Sequence, residues 1–144
     1  NASEVNYIMI GGIATNLHGY HRTTNDIDIW LKDSTTNRKR LREAFKNYGL
    51  GDFSGIETMQ FVAGWTTFRL DNTLEVDIMT SLKGLEEYTF DESYQLVSFA
   101  DILDVKVPFL HINQLIQAKK AANRPKDQID VMALEKIKKL REEE

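Results

Sequence analysis

Two stretches decide how the chain reads: Tyr7-Ile8-Met9-Ile10-Gly11-Gly12, and Asp26-Ile27-Asp28-Ile29-Trp30 fourteen positions on. Val5 to Ile10 is short and rich in Val, Ile and Tyr, as a buried strand is. Gly11 and Gly12 stop it, and Ile13, Ala14 and Leu17 then share one face of a short helix. Gly19 to Asn25 is a polar loop. Ile27 and Ile29 alternate with Asp26 and Asp28, and side chains two apart on a strand point the same way. The two aspartates therefore stand together while the isoleucines turn to the core. Two like charges so close repel, and hard oxygen ligands suit Mg²⁺ between them. Asp77 lies in a second strand of the same alternation, where Leu74, Val76 and Ile78 turn inward. If the two strands are neighbours, three carboxylates converge on the order of 4–6 Å apart, a two-metal arrangement for phosphoryl or nucleotidyl transfer. The Gly-Gly turn fits, because bare backbone N–H groups at a helix start attract a phosphate. A lone Gly-Gly or Asp-x-Asp is commonplace; the combination in this order is far more specific.

Outward from these stretches, strands and helices mix. Ser34 can cap a helix whose apolar stripe is Leu41, Ala44, Phe45 and Tyr48. Gly49 to Gly55 is a loop, and Phe61 to Leu70 reads as a strand interrupted near Gly64. Asp71-Asn72 marks a turn, giving a hairpin near residues 66–79. Leu85 to Val97 is ambiguous and in part helical. Leu103 to Leu110 reads as a strand, with Pro108 pointing to a sheet edge. A helix starts at Asn113 and runs through Ala122. Pro125 suits the first turn of a last helix with Ile129, Met132, Ala133, Ile137 and Leu140 as its buried stripe. The expectation is an α/β (α+β) fold, one mixed sheet carrying helices on at least one face.

At 144 residues the chain is expected to be a single domain over 1–144, on a scale of roughly 100–200 residues per domain. Hydrophobic residues at 42% and charged residues at 28% exclude a disordered or fibrous chain. A net charge of −4 argues against a strongly basic duplex binder. Cysteine is absent, which excludes a disulfide framework, a thiolate zinc site and a cysteine nucleophile. No apolar run approaches the roughly 18 residues of a membrane span, and no basic-then-apolar leader opens the sequence. The expected location is the cytoplasm. The chain begins at Asn1 without methionine, as a trimmed start would.

Tyr7 to Ala14, then His18-Gly19, Arg22-Thr23-Thr24 and Asp26-Ile27-Asp28, resemble the polymerase-β-like nucleotidyltransferases. The nearer resemblance is to their small prokaryotic branch that includes the AbiEii-type toxins. Lys119, Arg124-Pro125-Lys126-Asp127 and Asp130 look like that branch's C-terminal helix motif. The resemblance spans nearly the whole chain, with residues 31–73 the least specific part. It implies a polymerase-β-like fold and a nucleotidyltransferase with two Mg²⁺ ions and an NTP substrate. Asp26, Asp28 and Asp77 would be the metal-binding and catalytic residues. Gly11, Gly12, Arg22, Thr24, Lys119 and Arg124 would hold the nucleotide. The family often has Ser where Gly12 stands, although glycine is common in this branch. A toxin-like role in a toxin–antitoxin or phage-defence system is also implied.

Several residues carry a plainer reading beside the functional one. Lys119 sits on the Leu115–Ile116–Ala122 stripe and either snorkels from the core edge or reaches the triphosphate; the motif favours the second. On that reading Lys119→Met leaves stability nearly unchanged. Arg124 and Lys126 sit near a helix start, where the dipole disfavours cations, so they call for a partner. Structural pairing comes first for Asp127 and Asp130. His18 reads as a structural hydrogen-bonding residue, and His18, His21 and Asp26 lack a third good ligand for zinc. His111 has no apparent partner. Arg38-Lys39-Arg40-Leu41-Arg42 reads as a solvent face around Leu41 more than a phosphate site. Trp30 and Trp65 read as packing residues. The alternative to an enzyme is a non-catalytic nucleotide- or partner-binding module of the same fold; a metal-dependent phosphohydrolase would want more ligands. The acceptor is RNA, a protein or a small molecule, and a partner protein or homo-oligomer is expected if it is large.

Overall fold

A computed structural model describes residues 4–21, 26–47, 49–58, 66–69 and 75–142. In chain order these form β1 (Tyr7–Ile10), α1 (Gly11–Leu17), β2 (Asp26–Leu31), α2 (Thr35–Asn47), a 3₁₀ turn (Ser54–Glu57), β3 (Thr66–Arg69), β4 (Glu75–Met79), α3 (Phe90–Tyr94), β5 (Ser98–Ile102), β6 (Val105–Phe109), α4 (Ile112–Ala122) and α5 (Pro125–Glu142). Among the described residues, the strands make one mixed sheet in the order β3-β4-β2-β1-β6-β5. β2 runs parallel to β4 and β1 parallel to β6; the other pairs are antiparallel.

Period-two alternation sends the sheet's side chains into two cores. Ile29, Leu31, Val76 and Ile78 pack with Leu41 and Phe45 of α2 and Ile56 of the 3₁₀ turn. Ile8, Ile10 and Trp30 pack on the other face with Leu115 and Ile116 of α4 and Val131 and Leu134 of α5. Asp26 and Asp28 share the parity of Trp30, and Asp77 that of Met79, which packs on the α4–α5 face. The carboxylates therefore emerge on a helix-covered face of the sheet, where Asp28 is half-buried. Asn37 fixes α2 to this frame. Its Oδ1 accepts from the Asn6 backbone N–H at 2.7 Å, and its Nδ2 donates to the carbonyls of Asn6 and Lys32 at 2.9 and 2.7 Å.

Several element assignments from the sequence hold: the short β1 ended by Gly11, the 66–79 hairpin, α2 capped by Ser34, whose Oγ accepts from Asn37 N–H at 3.1 Å, and Pro125 in the first turn of α5. Tyr48, Trp65 and Phe61 to Gly64 lie outside the described residues. Other expectations are corrected. Pro108 does not sit on an edge strand: β6 has β5 on one side and β1 on the other. The missing N–H is tolerated because the recorded pairing with β1, Met9↔Phe109, begins beyond the proline. Leu103 and Asp104 form no strand; both have positive φ, +50° and +67°, and make a two-residue hairpin loop between β5 and β6. His111 does have a partner, since its Nδ1 accepts from Asn113 N–H at 3.0 Å and caps α4. The expected buried stripe of α5 is largely on the outside: Ile129, Met132 and Leu140 are 56%, 72% and 53% exposed. The buried face runs instead through Asp127, Asp130, Val131 and Leu134.

Candidate active site

Parallel pairing of β2 and β4 sets Asp28 directly beside Asp77. Two carboxylates brought side by side disfavour each other's charge. Burial pushes the Asp28 carboxyl up to about 7, and the hydrogen bond and charge of Asp77 and the charge of Asp26 push the same way. Thr67, opposite Asp77 in the β3–β4 hairpin, donates its hydroxyl to Asp77 Oδ1 at 2.6 Å. That orients the carboxylate from below, and only the hairpin's register, invisible in a single strand, singles Thr67 out.

Gly11, the first residue of α1, closes the site beside Asp28. It has φ +66°, and a Cβ there would stand 2.2 Å from Asp28 Oδ2. Both the backbone conformation and the close approach demand glycine. Gly12 is buried in α1, away from the cleft surface. Asp26 lies at the exposed start of β2 and lines the same cleft.

The cleft encloses about 750 Å³. Opposite the carboxylates it is lined by Lys119, Arg124, Lys126 and Asp127. Lys119 is only 7% exposed, and its ammonium donates to Asp130 Oδ2 at 2.8 Å, with Asp127 Oδ1 at 3.8 Å. Its charge is thus met by two carboxylates that are themselves buried, while the side chain still lines the cleft. Lys120 points away to Glu135. Arg124 donates Nε and a terminal nitrogen to Asp127 at 2.6 and 3.1 Å, and its own N–H donates to Asp127 as a helix cap. The pairing raises the Arg124 guanidinium; Asp127, despite burial, is held below the usual carboxylate range by Arg124 and Lys119. Arg124 and Lys126 both act electrostatically on Asp28 across the cleft. Lys126 is thereby a site cation beyond the nucleotide set read from the sequence; its place near the helix start was the signal.

Arg22 and Thr24 lie outside the described residues. His18 is structural, as expected. It is buried, Nε2–H donates to the Leu110 carbonyl at 2.7 Å, and Nδ1 faces Arg141 at 3.3 Å. Burial holds its pKa below the ordinary imidazole value, so the ring is neutral. Trp30 is core, with its indole N–H on the Thr80 carbonyl. In the basic run, Arg38 pairs with Asp33 and Arg42 with Asp52 and Glu57. Among the described residues, no three His, Cys, Asp or Glu side chains are gathered tightly enough to hold a metal ion. Asp28 and Asp77 are cross-strand neighbours, and Asp26, two residues before Asp28 on β2, lines the same cleft and acts electrostatically on Asp28. The donor chemistry fits Mg²⁺: hard carboxylate oxygens, that of Asp28 partly desolvated and beside two like charges.

A mixed sheet flanked by helices, with paired carboxylates at one end of a charged cleft, is a nucleotidyltransferase-like α/β fold. The chain belongs to the family of nucleotidyltransferases of unknown function (DUF6036), matching it over residues 1–142. The match is to that family as a whole and singles out no toxin subtype. Comparison with curated proteins gave no match. Among the described residues, no helix is long and apolar enough to cross a membrane.

Proposed function

We propose that the chain is a single-domain, Mg²⁺-dependent nucleotidyltransferase that moves a nucleoside monophosphate from an NTP to an acceptor hydroxyl and releases pyrophosphate. The observation that carries this reading is the opposition of charge across one cleft, with Asp28 and Asp77 on the sheet facing Arg124 and Lys126 at the start of α5. Asp26, Asp28 and Asp77 would hold Mg²⁺, which when bound supplies neutralisation of phosphate charge and a more acidic acceptor hydroxyl. The chain's own residues position and stabilise. Gly11 and Gly12 would lie beneath the triphosphate, where a side chain at 11 has no room. As the acceptor oxygen bonds to the α-phosphorus, the bond to the β-phosphate oxygen breaks, and pyrophosphate leaves with that electron pair. Asp77, oriented by Thr67, would take the acceptor proton. Arg124 and Lys126 stand where negative charge would build on the leaving group.

The acceptor is RNA, a protein side chain or a small molecule. A large acceptor would be held jointly with a partner protein or a second copy. A toxin-like role rests on the motif resemblance alone. The test is incubation with each α-labelled NTP, Mg²⁺ and total RNA or cell extract. Labelling should appear with the parent and vanish with Asp28→Asn. Near-parent labelling by Asp28→Asn would sink the reading.

A further inference from the structure

Among the described residues, β5 ends the sheet on one side and pairs with β6 alone. The outward row of its backbone N–H and C=O groups is then a template for another strand. Edge strands are commonly blunted by lysine, proline or a bulge. Ser98-Phe99-Ala100-Asp101-Ile102 contains neither lysine nor proline, and it pairs with β6 residue for residue, without a bulge. Its surroundings are apolar as well. Leu96, Phe99, Ile102, Leu103 and Val105 are five of the eight large hydrophobic residues that stand exposed among the described residues. The other three are spread along α5. Apolar side chains gathered in this way on one hairpin mark an interaction surface.

Phe99 is the fixed point of this surface. It is 53% exposed, yet its ring meets Tyr94 of α3 edge-on, with centroids 6.3 Å apart. Tyr94 stacks on Phe90 at 5.7 Å, and Phe90 meets the buried Trp30 at 5.9 Å. The rings run from core to surface, so Phe99 is ordered before anything binds, which lowers the entropy cost of binding. The charge around it is of one sign. Residues 84–105 hold six acidic side chains, Glu86, Glu87, Asp91, Glu92, Asp101 and Asp104, and no basic one. All six are exposed. The whole chain is −4, so everything outside this stretch is +2. Lys32 meets Asp91 at 3.0 Å and Lys106 stands opposite Asp101, which still leaves the stretch acidic.

We propose that β5 takes up an extended segment of a partner protein as a seventh strand, and that this segment alternates apolar side chains with lysine or arginine. Main-chain hydrogen bonds along the β5 edge supply the attachment, and side chains at alternate positions supply the specificity. The apolar ones extend the hydrophobic surface of the hairpin. The basic ones meet the carboxylates of α3 and of the hairpin loop. The same charge disfavours a second copy, since two β5 edges side by side would bring two acidic stretches together, and it repels a nucleic acid. β5 lies three strands from β2 in the sheet order, about 14 Å at ~4.8 Å per strand. A strand added there leaves the carboxylates of the cleft uncovered, and its presence does not depend on the chemistry proposed for them.

A random library of peptides of about nine residues, roughly one long strand, panned on the whole chain and counter-selected on Ile102→Lys, tests this. Ile102 is 40% exposed at the end of β5, and a lysine there blunts the edge and repels a basic strand. Phe99→Lys is a second edge block, for use if Ile102→Lys folds poorly. Selected peptides should alternate apolar with basic side chains. By fluorescence anisotropy they should bind the parent about tenfold or more tightly than the edge variant. Asp101→Asn with Asp104→Asn should weaken them. Methylating alternate peptide amides, in one register or the other, keeps the charge and removes the donors of one edge, so one of the two methylated peptides should fail to bind. With the unmodified peptide bound, the amides of residues 98–102 should exchange hydrogen more slowly. No selected peptide, selected peptides without the basic bias, equal affinity for the parent and the edge variant, or two methylated peptides that bind like the unmodified one overturns the proposal. A parent that sediments as a dimer beside a monomeric Ile102→Lys would give the edge to a second copy and overturn it too.

Discussion

At Asp28 burial, the Asp77 carboxyl and the Asp26 charge all favour the protonated form, and Lys126 offsets them only in part. A folded-state carboxyl that keeps its proton up to about 7 binds more protons than the unfolded chain, from the ordinary carboxylate range upward. Stability contributed by that proton is therefore present at low pH and lost as pH rises through 7. In the metal-free protein, raising pH from 5 to 8 should cost about 2 kcal/mol. Urea unfolding in a chelator measures it, and Asp28→Asn should flatten the slope. A slope that survives the substitution would place the titration elsewhere. The aspartates and the glycine turn were legible from single residues, because strand parity and a bare turn leave marks in the sequence. Their degree of burial was not legible. Parity tells which face a side chain takes, but not that α4 and α5 cover the face the carboxylates share.

Between α4 and α5 the deciding pair is Lys119 with Asp130, reinforced by Asp127. Removing the lysine charge takes a charged hydrogen bond from Asp130, which is 1% exposed, and breaking one side of a buried ion pair costs several kcal/mol. Lys119→Met should therefore destabilise by about 3 kcal/mol, contrary to the near-neutral effect read from the sequence. Adding Asp130→Asn should recover part of the loss, since the charge left behind is then removed. Thermal unfolding of the two variants checks both points; a Lys119→Met protein as stable as the parent would show the ion pairs to be idle. The same pairs explain why the face of α5 was misjudged. Apolar spacing pointed to Ile129, Met132 and Leu140, whereas partners on α4 and at Arg124 make it favourable to bury two aspartates. β5 escaped notice for a related reason. Residues on both its faces are exposed, so it has no alternation to read, and its hairpin turns through Leu103-Asp104 where Asn-Gly is the usual signal.

Across the whole molecule, the sheet order follows from short antiparallel hairpins and two parallel contacts, and only the hairpin near residues 66–79 could be read locally. The parallel contacts β2/β4 and β1/β6 join segments far apart in the chain, and a single sequence carries no record of which distant strands meet. The outward face of α5 offers a direct check on the architecture. Replacing Ile129, Met132 and Leu140 together with Gln should shift stability by no more than about 0.5 kcal/mol per site, as exposed positions do. A loss of several kcal/mol at any of them would mean that the helix is turned the other way. The cleft, too, is assembled from distant parts, its acidic wall from residues 26–77 and its cationic wall from residues 119–127. On the ribosome the acidic wall emerges first and can pack its other face on α2, but the face that carries the aspartates stays uncovered until α4 and α5 arrive. A chain released early is therefore not a weaker version of the protein. It carries aspartates that face no cationic wall, and the opposition of charge across the cleft arrives only with α4 and α5.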